Sequence, residues 1–311
     1  MDALSDVLRV VRLNGAYFYA VEAAGPWRVE TVAATELTPR VLPDAQHLIS
    51  YHILTEGRCW GGVVGEEMVE LVPGDVILFP QGDPHIIAST PHPTSEVVHV
   101  TSSTRYPETV RLGDTGPRAR FVCGFLGCDL RPFNPLLASL PRRLHMRGPS
   151  PHWLESFAGQ VVAESRAERA GADLILTRLA ELMFIEVLRR YLEQLTAEQT
   201  GWLAGLRDPL VGQALALIHA RPSHPWTLAE LASEATGSRS KLAERFTHLV
   251  GYPPMQYLTQ WRMQIAANLL TQSGAKVAAV AAEVGYESEA AFSRAFKKAT
   301  GVSPGGWRGR Q

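Results

Sequence analysis

The first 130 residues consist of short apolar runs separated by short polar turns. The runs are five to nine residues long, the length of strands rather than of most helices: HLISYHIL, VILFP, EVVHVTS and ARFVCGFLG. The turns between them are rich in Gly, Pro and Asp: TEGR, VPGD, PQGDP and TPHPT. Closely spaced short strands joined by such turns are typical of an antiparallel sandwich or barrel. We therefore predict a β domain over residues 1–150, whose strand pattern ends near Leu130.

The pattern changes to helical periodicity after residue 150. The segment LILTRLAELMFIEVLRRYLEQL carries apolar residues at three- and four-residue intervals and contains no Gly or Pro, which predicts a helix. We interpret residues 151–195 as a helical dimerisation or packing region. The following residues, 196–208, contain two glycines and few periodic apolar positions, so we interpret them as a linker.

The last hundred residues, 209–311, contain a helical unit that occurs twice. A shift of 50 residues superimposes Ala232 on Ala282, Ser238 on Ser288, Leu242 on Phe292, Phe246 on Phe296, Gly251 on Gly301, Pro254 on Pro304, and Tyr257 on Trp307. Each copy has a short apolar helix, TLAELASEA or VAAVAAEVG, then a turn that ends in serine, then a second helix. A repeat of this length is normally one supersecondary unit used twice. The pattern predicts two helix-turn-helix motifs.

The second helix of each copy has a polar face that could contact DNA. In such motifs this helix lies in the major groove and presents its first residues to the base edges. The predicted DNA-contacting residues are Arg239, Ser240, Lys241, Glu244 and Thr247 in the first copy, and Ser288, Glu289, Ser293, Arg294, Lys297 and Lys298 in the second. We expect Arg294 to contact a base, because an arginine can hold guanine through two hydrogen bonds. Two ordinary helical hairpins with solvated faces are the alternative, which the repeated spacing and the matched serine caps disfavour.

The distribution of charge supports nucleic acid as a partner. The chain of 311 residues has a net charge of −1, yet residues 209–311 contain 11 Lys and Arg against 6 Asp and Glu, and the rest contains 19 against 25. A basic C-terminal third on an acidic body suggests a nucleic-acid partner for that third. The N-terminus lacks the layout of a signal peptide, and the three cysteines argue against a secreted disulfide scaffold. We expect a cytoplasmic protein without a membrane span.

The C-terminal motifs resemble the DNA-binding domain of AraC-type bacterial transcription regulators. The resemblance rests on GSRSKLAERFTHLVGYPPMQYLTQWRMQIAANLL and VAAVAAEVGYESEAAFSRAFKKATGVSPGGWR. It implies seven helices, a long helix between the motifs, and two recognition helices in successive major-groove segments of double-stranded DNA. It also implies a homodimer and RNA polymerase as a further partner. Arg294 matches the family's arginine, whereas the first copy has Glu244 at that place.

The N-terminal domain resembles a cupin. PGDVILFPQGDPHII is similar to the second cupin motif, and YHILTEGRCW to a reduced form of the first. The resemblance implies a small antiparallel barrel that holds a ligand or metal and serves as an effector sensor. Only His52, Glu56 and His85 match the family's metal ligands, so the set is incomplete.

Cys123 and Cys128 could complete that set or act by themselves. Three hypotheses remain open: small apolar residues in a strand, a zinc site with His52 or His85, or a redox switch at the two thiols. We expect Cys59 to be a packing residue and keep His99 as a minor pocket candidate. The sequence establishes no cofactor, and zinc is the candidate.

The combined prediction is an α+β transcription regulator and not an enzyme. Its cupin-like domain would sense a small molecule, a metal or an oxidant and so bias DNA binding or polymerase recruitment. A cupin metalloenzyme tethered to a DNA-binding module is the alternative, which the incomplete ligand set disfavours. A nucleoid-binding architectural protein is a further alternative. The N-terminal domain disfavours it, because such a protein would not need a sensor.

Overall fold

The computed structural model describes residues 2–11, 13–93, 97–99, 109–147, 156–157, 159–161, 163–164, 169–196, 198–272 and 275–308. The chain forms two compact units. The β unit consists of Leu13–Asp129 and Leu140–Glu193. The helical unit consists of Met1–Arg12, Leu130–Ser139 and Gln194–Gln311. The predicted α+β fold is confirmed.

The described residues contain the following strands and helices. The strands are β1 (Leu13–Ala24), β2 (Arg28–Thr31), β3 (His47–Glu56), β4 (Cys59–Val63), β5 (Val69–Leu71), β6 (Val76–Phe79), β7 (His85–Ala88), β8 (Val97–His99), β9 (Thr109–Leu112), β10 (Arg118–Cys128) and β11 (Leu144–Met146). The helices are α1 (Ala3–Val11), α2 (Ala34–Val41), α3 (Pro135–Ser139), α4 (Ala172–Gln194), α5 (Trp202–Arg207), α6 (Pro209–Ala220), α7 (Leu228–Glu234), α8 (Arg239–Val250), α9 (Pro254–Gln272), α10 (Val277–Glu283), α11 (Glu289–Thr300) and α12 (Pro304–Arg308). No helix among these residues has both the length and the apolar character needed to cross a bilayer.

The β unit has two sheets that share one core. The six-stranded sheet has the order β11-β6-β3-β10-β1-β9, and the five-stranded sheet has the order β5-β4-β7-β2-β8. One buried cluster takes side chains from both sheets, including Phe121 and Phe125 of the first and Val29 and Ile87 of the second. Within the part of the chain that the structure describes, the two sheets stay separate and do not join into one closed barrel.

The central strands β3 and β10 are buried over most of their length. Their sequences are therefore nearly continuous apolar runs, without the alternation of a strand that has one face in water. Gly124 is needed in β10 because a Cβ atom there would lie 2.3 Å from the hydroxyl oxygen of Tyr51. Together with β1, these two strands supply three of the four side chains of the site described below.

The predicted helical region 151–195 is described in part, and residues 151–155, 158, 162 and 165–168 lie outside the described residues. Its main element is α4, which buries Leu176, Ala180, Met183, Phe184, Val187 and Leu188. The opposite side of α4 exposes Leu174, Ile175 and Leu182, at 62%, 42% and 58% of their surface. The helix therefore has one packed apolar side and a second, exposed apolar side.

The interpretation of residues 196–208 as a linker needs correction. They include α5, whose Trp202 is buried and donates a hydrogen bond from Nε1 to the Tyr257 hydroxyl at 2.7 Å. Helix α1 also belongs to the helical unit, although it lies within the predicted domain of residues 1–150. Its Val7 and Val11 are buried, and Asn268 Nδ2 donates to Val10 O. Distant parts of the chain thus complete the helical unit.

The seven helices α6 to α12 match the number that the resemblance implies for the DNA-binding part. The repeat itself needs a correction of one residue. Ala232 corresponds to Ala281, because each is buried and its carbonyl accepts the hydrogen bond that closes the turn. Ala282, the expected match, is exposed. The shift is therefore 49 residues before the turn and 50 from the serine cap onward, so the second turn has one extra residue.

Candidate functional site

The second helices of the two motifs, α8 and α11, begin and end at matching signals. Ser238 Oγ accepts a hydrogen bond from Lys241 N at 3.3 Å, and Ser288 Oγ accepts one from Ala291 N at 3.2 Å. Each helix stops at a glycine in the left-handed conformation, a common helix ending. The caps fix where each helix begins. They therefore also fix which residues form its first turn, the part that a major-groove helix presents to DNA.

One face of α8 and α11 is buried and the other is polar. Leu242, Phe246, Phe292 and Phe296 have no exposed surface. The predicted DNA-contacting residues lie on the other side, and all are exposed except Ser293, which is half-buried. The exposed ones are Arg239, Ser240, Lys241, Glu244, Thr247, Ser288, Glu289, Arg294, Lys297 and Lys298. The arrangement leaves them free to meet a groove, and their contact with DNA stays a prediction.

Arg245 of α8 has a structural partner that sequence reasoning missed. Its guanidinium is paired with Asp208, the residue that caps α6. Asp208 also accepts hydrogen bonds from Leu210 N at 3.0 Å and from Val211 N at 2.9 Å. Burial by itself would raise the pKa of Asp208, but the Val211 amide and the Arg245 guanidinium lower it below its usual value. This buried carboxylate therefore joins the first recognition helix to α6.

A second candidate site lies in the core of the β unit. Tyr19 of β1, Cys123 of β10 and His52 of β3 are direct neighbours across three adjacent strands. His52 Nδ1 lies 2.7 Å from Cys123 Sγ, and Tyr19 is hydrogen-bonded to the same sulfur. His52 Nε2 lies 2.9 Å from Nε2 of His85, which comes from β7 of the other sheet. We call these four side chains the buried hydrogen-bond chain.

The direction of each hydrogen bond in this chain follows from the Asp83 carbonyl oxygen, the acceptor at the His85 end. His85 Nδ1 lies 3.1 Å from the carbonyl oxygen of Asp83, which can only accept, so Nδ1 carries the proton. His85 Nε2 must then accept from His52 Nε2–H, which leaves His52 Nδ1 to accept from the thiol of Cys123. Tyr19 O–H donates to the sulfur. The neutral chain is therefore fully satisfied, with His52 Nδ1 as the acceptor of the thiol proton.

Burial keeps the members of the chain uncharged. It raises the pKa of Cys123 well above its usual value, although the Tyr19 hydrogen bond opposes this. It lowers the pKa of His52 well below its usual value, helped by the nearby His85, and it lowers the pKa of His85 to about 4. Phe79 stacks on His85 at 3.9 Å between ring centroids, which helps to keep water away. The resting state is thus thiol and neutral imidazole.

Other residues of the predicted metal or effector set do not join this chain. Glu56 is exposed at the end of β3 and pairs with Arg120 at 3.0 Å. Cys128 lies five residues from Cys123 in the same strand, so it is about 17 Å away and on the opposite face. Such a pair cannot form a disulfide within the intact strand. The side chain of His99 lies outside the described residues.

The geometry does not fit the metal that a cupin fold implies. A structural zinc ion takes four ligands around one point. Here Cys123 and His85 face opposite nitrogens of the His52 ring, so they cannot share one ion with it in this arrangement. Among the described residues, no three His, Cys, Asp or Glu side chains are grouped as metal ligands. The expected zinc set is therefore not assembled.

Comparison with known proteins agrees with both parts of the chain. The cupin family model matches residues 2–193, and the helix-turn-helix domain model matches residues 231–310. An AraC-like transcription regulator of Streptomyces lividans is 33% identical over 99% of this chain and 98% of its own. The RCS-specific HTH-type transcriptional activator RclR of Escherichia coli K12 is 29% identical over 100% of this chain and 98% of its own.

A solved structure is similar to part of this chain. The DNA-binding domain of AdpA, in complex with a target DNA, is 32% identical and covers 32% of this chain and 90% of that one, with a TM-score of 0.31. The family models and the Streptomyces lividans relative show that this chain belongs to the AraC-type transcription regulators that carry an N-terminal cupin domain. It binds double-stranded DNA and is not an enzyme.

Proposed function

We propose that this regulator senses a small electrophilic oxidant at Cys123 and that oxidation changes its binding to DNA. The observation that carries the proposal is the 2.7 Å approach of His52 Nδ1 to Cys123 Sγ within the buried hydrogen-bond chain. A thiol needs a proton acceptor to react as a nucleophile. Cys123 has one in contact, and only 1% of its surface is exposed, which favours an oxidant of a few atoms.

The proposed step is the two-electron oxidation of the thiol. The sulfur attacks the oxygen of hydrogen peroxide or the chlorine of hypochlorous acid, and the O–O or O–Cl bond breaks. The thiol proton passes to His52 Nδ1 and then to the departing hydroxide, which leaves as water. The product is a sulfenic acid with peroxide, or a sulfenyl chloride with hypochlorous acid.

The oxidised sulfur changes the hydrogen bonding of two strands. Cys123 as a thiol donates to His52 and accepts from Tyr19, and these residues come from β3 and β1. A larger and more polar sulfur group cannot keep both bonds in a close-packed core. The signal affects DNA binding only if the oxidised form favours one DNA-binding state over another.

The test uses the full-length chain and DNA sites found by genome-wide footprinting with and without oxidant. Cys123→Ser should abolish the oxidant-dependent change in DNA binding. Cys59→Ser and Cys128→Ser are matched controls, because both thiols are buried and burial raises the pKa of each to about 12. A Cys123→Ser protein that responds like the wild type would exclude the proposal. A response to a zinc chelator, and none to oxidant, would favour the metal hypothesis instead.

We further propose that α4 forms a homodimer through its exposed apolar side. An antiparallel pair centred on Leu182 would bring that residue against its own copy. It would also place Arg178 opposite Glu186 of the partner subunit, so the charges are complementary. An exposed apolar strip on one helix is the feature that pairing of two helices would bury.

Crosslinking can test this register. Leu182→Cys should give a covalent dimer with a short bismaleimide, because two such residues would meet at the centre of the pair. Leu174→Cys is the control, since this register places it about two helical turns from the centre. Equal crosslinking of both variants, or a monomer in sedimentation, would rule out the arrangement. We propose that the dimer acts at promoters in the cytoplasm and that RNA polymerase is its partner there.

A further inference from the structure

A loop before the first helix-turn-helix motif packs against the turn of the second. The loop is Arg221–Trp226, between α6 and α7, and the turn contains Gly285, which has a positive φ of 80°. A Cβ atom on Gly285 would lie 2.3 Å from Ser223 O and 2.8 Å from Ser223 Cα. The loop that leads into the first motif therefore meets the turn of the second through backbone atoms, at a place where only glycine fits.

Arg262 of the connecting helix α9 holds this contact together. Its Nε donates to Pro222 O at 2.7 Å and its Nη2 donates to His224 O at 2.8 Å. These two carbonyls lie on either side of Ser223. The same guanidinium lies 5.9 Å above the ring centroid of Tyr286, next to Gly285. One side chain thus contacts the loop that precedes the first motif and the turn of the second.

The loop that Arg262 contacts is itself well braced. Trp226 Nε1 donates to Arg221 O at 3.1 Å, and the Arg221 guanidinium lies 4.4 Å from the centroid of the Trp226 ring. His224 Nε2 lies 2.7 Å from Glu230 Oε1 of α7. A braced loop transmits the position of the first motif to the second, whereas a loose loop would absorb a change.

We propose that Arg262 is a specificity-determining residue that fixes the distance and rotation between the two recognition helices. It is a positioning residue, because it is half-buried and bonded to backbone carbonyls. Adding one base pair moves the second DNA subsite by about 3.4 Å and rotates it by roughly 35° around the axis. A rigid pair of motifs cannot follow that displacement, so only one spacing of subsites is bound by both.

The experiment measures how DNA affinity depends on the spacing of the subsites. The site is first selected from a random duplex library with the full-length protein, and duplexes with one base pair removed, or with one or two added, are then made. The wild type should lose about tenfold or more in affinity for one added base pair, the loss expected for one good base contact. Arg262→Met should lose affinity for the selected site and show a clearly flatter dependence on spacing. Arg262→Lys should be intermediate, since an ammonium cannot hold both carbonyls in the same geometry.

Arg308→Met is the matched control, because Arg308 also donates to two backbone carbonyls, Leu270 O and Ala275 O, outside the contact between the motifs. It should weaken binding without changing the spacing profile. Circular dichroism identifies any variant that fails to fold, in which case Arg262→Lys decides. A wild-type spacing profile in the folded Arg262 variants, at whatever overall affinity, would overturn the proposal. So would an equally flat profile in Arg308→Met.

Discussion

Replacing Asp208 by alanine should loosen the first helix-turn-helix motif without touching its DNA-facing surface. Only 4% of the Asp208 side chain is exposed. It caps α6 through the Leu210 and Val211 amides and pairs with Arg245 of α8. The substitution therefore removes the cap of one helix and the ion pair to the recognition helix in one step.

The expected cost follows from these contacts. Loss of an aspartate cap to alanine costs about 1 kcal/mol. The charge-assisted bond to Arg245 adds about 1 to 2 kcal/mol, taken at the low end because 54% of the Arg245 side chain is exposed. The sum is about 2 to 3 kcal/mol. Asp208→Asn keeps a capping oxygen and loses only the charge, so we expect about 1 kcal/mol for it.

Hydrogen exchange over α6 and α8 is the suitable assay, because a chain with two units need not unfold in one step. A loss of 2 to 3 kcal/mol should speed exchange of these amides about 30- to 150-fold, and the asparagine variant should show about fivefold. The peptides of β3 and β10 serve as the internal control and should not change. Equal effects of the two substitutions, or no effect on α8, would refute the assigned role of the ion pair.

Three other outcomes can be measured on the same protein. Because the folded pKa of Asp208 is lowered, its contribution to stability should be complete above about pH 4 and should fade as the pH falls through the folded pKa. A pH series of hydrogen exchange measures this dependence. Asp208→Asn should remove the pH dependence. Arg294→Ala should weaken binding to the selected site about 10- to 100-fold and to random DNA only slightly, whereas Lys298→Ala should weaken both alike; equal losses for Arg294→Ala in a competition assay would make it a phosphate contact. Phe296→Ala should destabilise the second motif by about 3 to 5 kcal/mol, because Phe296 is fully buried; hydrogen exchange over α11 measures it, and unchanged exchange there would contradict the assigned core.

Local features explain why the DNA-binding part could be predicted in detail. The serine caps, the helix-ending glycines and the apolar spacing all act within one or two helical turns, so they are visible in the sequence. The predicted match between Ala232 and Ala282 is wrong by one residue, because a turn can gain one residue without changing either helix. The same reasoning took residues 196–208 for a linker, since Trp202 shows its burial only through Tyr257, 55 residues away.

The sequence named only some members of the buried hydrogen-bond chain. His52 and His85 were candidates because they match the cupin motifs, and Cys123 because a thiolate can bind zinc or be oxidised. Tyr19 was missed because a tyrosine in an apolar strand is ordinary. Glu56 was a candidate through the cupin resemblance and Cys128 through its thiol, and the strand geometry places both elsewhere. Resemblance and residue type thus gave a short set of candidate residues, and strand pairing decided which of them lie together.

The amino-acid sequence alone was sufficient for the two motifs and for the faces of their helices, because short-range periodicity and capping specify these. It also indicated the class of protein, through the resemblance of its motifs to those of a known family. The register of β1, β10 and β3, and the approach of β7 from the other sheet, decided which side chains form the buried hydrogen-bond chain. The contact between Ser223, Arg262 and Gly285 likewise depends on how three segments pack. Such contacts join residues that are far apart in the chain, and no local pattern encodes the distance between them.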